Sequence, residues 1–158
     1  MVPCYLALLA EAYHKAGQAV AGLDTLQGAL EHVNKTEERW YEAELYRLKG
    51  ELTLQSGAGD WGLRTGLAFP RTASRKPQIP KAVGQEAEGY FLQAIDIARR
   101  QQAKSWELRA TGSLCRLWHH QGKRAEAHSM LSDLYNWFTE GFDTADLREA
   151  KVLLAELM

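Results

Sequence analysis

The chain has 158 residues, 46% of them hydrophobic, with 19 lysines and arginines against 20 aspartates and glutamates, for a formal net charge of -1. A chain of this length buries roughly 68–70% of its unfolded surface, enough for a core with no disulfide or metal staple, so a stapled mini-protein is excluded. With 25% charged residues in near balance, the composition also excludes a disordered polyelectrolyte and a strongly basic nucleic-acid binder.

Apolar spacing is helical almost throughout, and no convincing run of alternating β-branched and polar residues occurs, so the predicted fold class is all-α. The first helix is predicted over 3–16, where Leu6, Leu9, Ala10 and Tyr13 recur at i, i+3, i+4 and i+7 before Gly17, a residue suited to a C-cap. The second, over 18–33, places Gly22, Leu26 and Ala29 on one face. The third, over 37–56, carries Tyr46, Gly50 and Thr53 ahead of Gly57, and the fourth, over 84–101, carries Ala87, Phe91 and Ala94. The fifth, over 104–121, sets Thr111, Leu114, Cys115 and Trp118 ahead of Gly122; the sixth, over 123–138, presents Ala127, Leu131 and Leu134. A last helix over 144–157 follows Asp143-Thr144-Ala145-Asp146, whose carboxylates suit the positive end of a helix dipole. Leu147, Ala150, Leu154 and Leu157 share one of its faces.

These segments repeat in a consistent register. First helices align through Ala10, Gly50 and Cys115, separated by 40 and 65 residues; second helices align through Gly22, Ala87 and Ala127, separated by 65 and 40. The period is therefore 40, with 25 extra residues between the two helices of the middle pair. Small residues at the aligned positions permit close helix approach, while Tyr13, Leu26, Phe91, Trp118 and Leu131 fill the space between layers. This is the pattern of a tetratricopeptide-like hairpin, clearest in Gly50 and Ala87-Phe91-Ala94, though its period exceeds the usual 34 and implies longer helices. The expected architecture is a single domain, a right-handed superhelix of three antiparallel pairs over 3–33, 37–101 and 104–138. The helix over 144–157 caps it at the C-terminal end.

The insertion over 58–83 contains Pro70, Pro77 and Pro80 with Gly59, Gly62 and Gly66, so no helix is expected to cross it. Arg64, Arg71, Arg75, Lys76 and Lys81 against Asp60 give it a charge of +4 and leave -5 on the rest. It reads foremost as a mobile solvated loop, with two alternatives: a loop folded back on the acidic repeats, or a contact for nucleic acid or an acidic partner. Trp61, Leu63, Leu67 and Phe69 could dock part of it.

Cys4 and Cys115 belong to no close-spaced pair, so neither a zinc ribbon nor a CxxC redox motif can form, and both thiols are expected to be reduced and buried. No stretch approaches 18 uninterrupted apolar residues, and Met1-Val2-Pro3-Cys4-Tyr5 lacks a signal peptide's basic region, which points to the cytoplasm. The helical pattern is entered by Tyr5 with no visible N-terminal cap, as a segment cut from a longer polypeptide would begin.

No GxxxxGK[ST] phosphate loop, GxSxG elbow or HExxH helix occurs, so the chain is read as non-enzymatic and without a cofactor. Cys115, His119 and His120 could in principle share a metal, but Cys115 occupies the small-residue packing position and His119 follows a core tryptophan, so packing is the preferred reading. Trp118 replaces Tyr13 at a core position, and Trp106 and Trp137 are expected to close packing between repeats.

Three stretches carry more than periodicity: 38–45 running into 47–52 (ERWYEAEL, RLKGEL), 105–110 (SWELRA) and 137–147 (WFTEGFDTADL). Together they resemble the C-terminal helical-repeat region of large bacterial regulators that join a class III nucleotide cyclase domain, a P-loop ATPase domain and tetratricopeptide-like repeats. The resemblance covers nearly all of the chain and implies a non-catalytic interaction or regulatory region, since that family's cyclase and ATPase chemistry resides in upstream domains. The long insertion departs from the compact hairpin of most members.

Tetratricopeptide-like arrays bind partners on the concave surface lined by first helices. The register projects Glu11, His14, Lys15, Arg47, Glu51, Arg109, Arg116 and His119 there, and Arg47, Glu51, Arg109, Arg116 and His119 are the partner-binding candidates. The mixed charge suits a protein or peptide, including upstream domains of the same polypeptide, and lacks the Lys/Asn arrangement of a carboxylate clamp. A homodimer through the uncapped first repeat is a further possibility, while membrane and nucleic acid are disfavoured as partners. The alternative classes are a small-molecule-binding or enzymatic domain using the 58–83 insertion, and a self-associating scaffold.

Overall fold

The computed structural model describes residues 2–57 and 79–158. They form seven helices packed sequentially in pairs: α1 (Val2–Lys15), α2 (Ala19–Thr36), α3 (Glu42–Gly57), α4 (Lys81–Arg100), α5 (Lys104–His120), α6 (Arg124–Tyr135) and α7 (Ala145–Leu157). No strand occurs among the described residues, and no helix there is long and apolar enough to cross a membrane.

Three of the turns are built alike. Gly17 and Gly122 adopt left-handed φ of 75° and 82°, and Gln102 does so at 54°. In each turn that residue's N–H reaches the carbonyl three residues back, and the next N–H reaches five back, as in Gln18 to Tyr13, Ala103 to Ala98 and Lys123 to Trp118, each 2.9 Å. This closure satisfies carbonyls that a helix end leaves without partners and reverses the chain in few residues.

The core is a chain of overlapping apolar clusters. Leu26, Ala29 and Val33 of α2 pack with Ala7 and Ala10 of α1 and with Leu45, Leu48 and Leu52 of α3. Ala87, Phe91 and Ala94 of α4 pack with Ala110, Leu114 and Leu117 of α5, and Leu131 of α6 packs with Cys115 and α7. Phe91 and Leu131, the large residues of the second-helix stripes, are fully buried. Close approach is literal at Gly50, where a Cβ would lie 2.5 Å from Phe91 Cε1, and at Gly22, where it would lie 2.8 Å from Leu52 Cδ2.

Several expectations are corrected. Helix α3 begins at Glu42 rather than 37, because Glu37 is left-handed (φ 58°) and ends α2, its N–H bonding Val33 O at 2.8 Å. Helix α6 stops at Tyr135 rather than 138, since Trp137 and Phe138 bond carbonyls only three residues back and tighten the last turn. Helix α4 begins at Lys81, inside the expected insertion, with Pro80 preceding its first turn, where a missing N–H costs no helical bond. The mobility expected of the insertion otherwise falls on residues 58–78, outside the described residues. Trp106 of α5 sets its ring edge-on to Tyr41, just ahead of α3, at 5.0 Å, whereas Trp137 is 58% exposed. Cys115 is buried, but Cys4 only half so, because it lies on the flank of α1 rather than in its small-residue stripe.

Candidate functional site: the charged first-helix layer

The odd-numbered helices form one layer. Helix α1 touches α3, α3 touches α5 and α5 touches α7, while α2, α4 and α6 touch only their sequence neighbours among the described residues. The 40-residue register sets charged residues of successive first helices side by side in that layer.

Its centre is Glu44, a buried carboxylate that sequence reasoning missed. Arg47 grips it through two hydrogen bonds, Nε to Oε2 at 2.8 Å and Nη2 to Oε1 at 2.7 Å. Arg109 Nη1 approaches the same Oε1 from α5 at 3.1 Å. The remaining Arg47 nitrogen faces Glu51 at 3.6 Å and Ser113 Oγ at 3.5 Å, and Ser113 Oγ donates to Glu51 at 2.6 Å. Burial opposes the charge on Arg47, and the hydrogen bonds and charge of Glu44, with Glu51 behind, outweigh it and raise its pKa. Two signals pointed at Glu44: it stands three residues before Arg47, and it shares a register position with Arg109, 65 residues on.

The other candidates sit nearer the rim. Arg109 also reaches Asp146 of α7 at 3.5 Å and lies over the Trp106 ring at 5.5 Å. Arg116 is about half exposed and pairs with Glu149 at 3.4 Å, and half-buried His119 stacks on His120 at 6.2 Å. On α1, Lys15 pairs with Glu11 at 2.9 Å, and this hydrogen bond holds the Glu11 carboxyl below its usual range against the effect of burial. His14 Nε2 is buried with no hydrogen-bond partner. Burial lowers the His14 pKa, Glu51 and Glu11 oppose that shift, and Arg47 and Lys15 reinforce it.

The five candidates thus divide. Arg47 and Glu51 face one another inside the layer, Arg109 ties three helices together, and Arg116 and His119 remain at its edge. The Arg47 and Arg109 guanidinium groups stay protonated near neutrality, so they supply fixed positive charge to the network.

A second charged group lies at the α4–α5 turn. Arg99 Nε and Lys104 Nζ both donate to buried Glu107, at 2.8 and 2.7 Å, and outweigh the burial that would otherwise raise its pKa, leaving it lowered. Arg99, Gln102, Lys104 and Trp137 line an open cleft of about 470 Å³ beside it.

The Cys115, His119 and His120 set does not converge. Cys115 Sγ donates to Ala127 O at 3.3 Å, and burial pushes its thiol up to about 12, so the sulfur rests as a protonated thiol. Among the described residues no group of three His, Cys, Asp or Glu side chains could hold a metal ion. Compared with protein-family models, curated proteins and solved structures, the chain matches none.

Proposed function

We propose that this chain is a non-catalytic protein-interaction or regulatory module, a tetratricopeptide-like right-handed superhelix of three helix pairs and a capping helix. It resembles the C-terminal repeat region of bacterial cyclase and P-loop ATPase regulators. The observation that carries the reading is the asymmetry between layers: first helices touch across the repeat and second helices do not. Helices that close up on one side and splay on the other bend an array toward the closed side, which makes the first-helix layer the concave surface. The partner is a protein or peptide of mixed charge, read by Arg116, His119, Glu11 and Lys15 around the fixed Arg47–Glu44–Arg109 centre. Its free thiols, Cys4 and Cys115, suit a reducing cytoplasmic compartment.

Arg109 is not a clean probe of binding, because Arg109→Glu would set a carboxylate against buried Glu44. Arg116→Glu with His119→Glu changes the rim alone. Peptides selected from a displayed random library on the native chain should carry both charges and lose affinity for the folded double variant, with circular dichroism as the folding control. Selected peptides indifferent to the double variant, or turnover of a nucleotide by the purified chain, would overturn the reading.

A further inference from the structure

The 40-residue register permits a comparison of burial that no single helix reveals. Each first helix has a flank carrying residues at three aligned positions: Tyr5, Leu8 and Ala12 on α1; Leu45, Leu48 and Leu52 on α3; Ala110, Ser113 and Leu117 on α5; Ala150, Leu153 and Leu157 on α7. On α3, α5 and α7 all nine are at most 5% exposed. The preceding second helix covers eight of them, as α2 packs on α3, α4 on α5 and α6 on α7, while Ser113 is closed off by Glu51 and Arg47 of α3. On α1 the same flank is open: Tyr5 is 65% exposed, Leu8 51%, and Leu9 beside them 44%.

From this equivalence we infer that the outer flank of α1 is a docking site for an amphipathic partner helix of the second-helix type, seated on α1 as α2 is seated on α3. The face continues an interface that the molecule already builds three times. Scattered single apolar residues need no explanation, but a contiguous stripe aligned with three buried copies does.

The register also specifies the occupant's apolar stripe. Second helices present a small residue, then a large one four further on, then a small or branched one three beyond: Gly22-Leu26-Ala29, Ala87-Phe91-Ala94, Ala127-Leu131-Leu134. Gly22 is small because Leu52 fills the space opposite, where an added Cβ would collide with Leu52 Cδ2. Leu117 and Leu157 stand at the Leu52 position in the next repeats, whereas α1 has Ala12. A helix made for α1 therefore carries a bulky residue where α2 has glycine. The inference stands on the burial of aligned positions and is independent of the role of the charged layer.

The test uses the whole chain and a lactam-bridged 20-residue peptide with the sequence of residues 81–100, with and without Ala87→Leu. Saturable amide shifts on α1 below about 100 µM peptide are expected, strongest for the Ala87→Leu peptide. Leu8→Asp, a change at an exposed position, should weaken binding at least about tenfold without altering the circular dichroism. As a second measurement, the same Ala87→Leu helix fused ahead of α1 through a short turn should raise the Tm, and Leu8→Asp should cancel the gain. Peptides without effect together with a fusion that leaves the Tm unchanged would overturn the inference. So would a chain that sediments as a dimer dissociated by Leu8→Asp, which would make a second copy the occupant, or one that binds neutral lipid vesicles through Leu8 and Leu9.

Discussion

Glu44 and Arg109 occupy the same register position in successive first helices and meet there, Nη1 to Oε1 at 3.1 Å. One carboxylate thereby answers two guanidinium groups, Arg47 from its own helix and Arg109 from the next. Glu44→Ala would strand Arg47 in a site where burial opposes its charge, and a stability loss of about 3–5 kcal/mol is expected in urea unfolding. Replacing both partners, Glu44→Leu with Arg47→Met, should cost less, because the two buried charges go together, Arg109 keeps Asp146 and Glu51 keeps the Ser113 hydroxyl.

Gly50 has no room for a side chain. Gly50→Ala would press its Cβ to 2.5 Å from Phe91 Cε1, so α3 and α4 must separate or the ring must leave its rotamer. A loss of about 1–3 kcal/mol is expected. Phe91→Leu in the same chain should relieve part of it, giving a favourable coupling in a double-mutant cycle. Strict additivity of the two losses would show that the ring is not what constrains Gly50.

Gln102 takes the left-handed conformation that Gly17 and Gly122 take in the corresponding turns. Gln102→Gly should therefore stabilise the fold by about 0.5–1 kcal/mol, the cost of αL for a residue with a Cβ less the extra freedom glycine brings to the unfolded chain. A rise in Tm of about 1–4 °C in calorimetry would record it.

Acid should weaken the fold in two stages. His14 has a lowered pKa, so the unfolded chain takes up its proton first, and stability held above about pH 6.5 is lost as the pH falls from there toward the folded-state value. Glu107, also lowered, contributes stability that is present above the ordinary carboxylate value and lost at still lower pH as it falls through the folded pKa. Denaturant unfolding at about pH 7 and about pH 5 should show the first loss, and His14→Gln should flatten that slope. An unchanged slope in the variant would assign the titration elsewhere.

The helix pairs were legible in the sequence because their packing is written in residue size: Ala10, Gly50 and Cys115 on first helices, and Leu26, Phe91 and Leu131 on second helices, recur at fixed offsets. The start of α3 was not, since nothing in the residue type of Glu37 announces a left-handed backbone there. The charged layer was legible as a face, but its depth was not. Arg47 reads as a surface arginine until one sees that the flanking first helices carry Ala7 and Gly112 at its register, both buried, which leaves room for a guanidinium between them. Trp137 misled in the opposite sense: its aromatic character suggested packing, yet it lies just past α6, beside Lys104, whose Nζ sits 5.4 Å from its ring centroid.

Because every helix touches only neighbours one or two places along the chain, no contact ties α1 or α2 to α5, α6 or α7 among the described residues. Among the described residues no helix clasps one end of the array to the other. Drawn apart by its termini, it would yield from the outside inward, each detached helix exposing one fresh apolar flank while the rest stayed folded. Extension under load would then proceed in steps, with α3 and α5 held together longest by the Arg109–Glu44–Arg47 tie. A module so built can lengthen without losing its fold all at once.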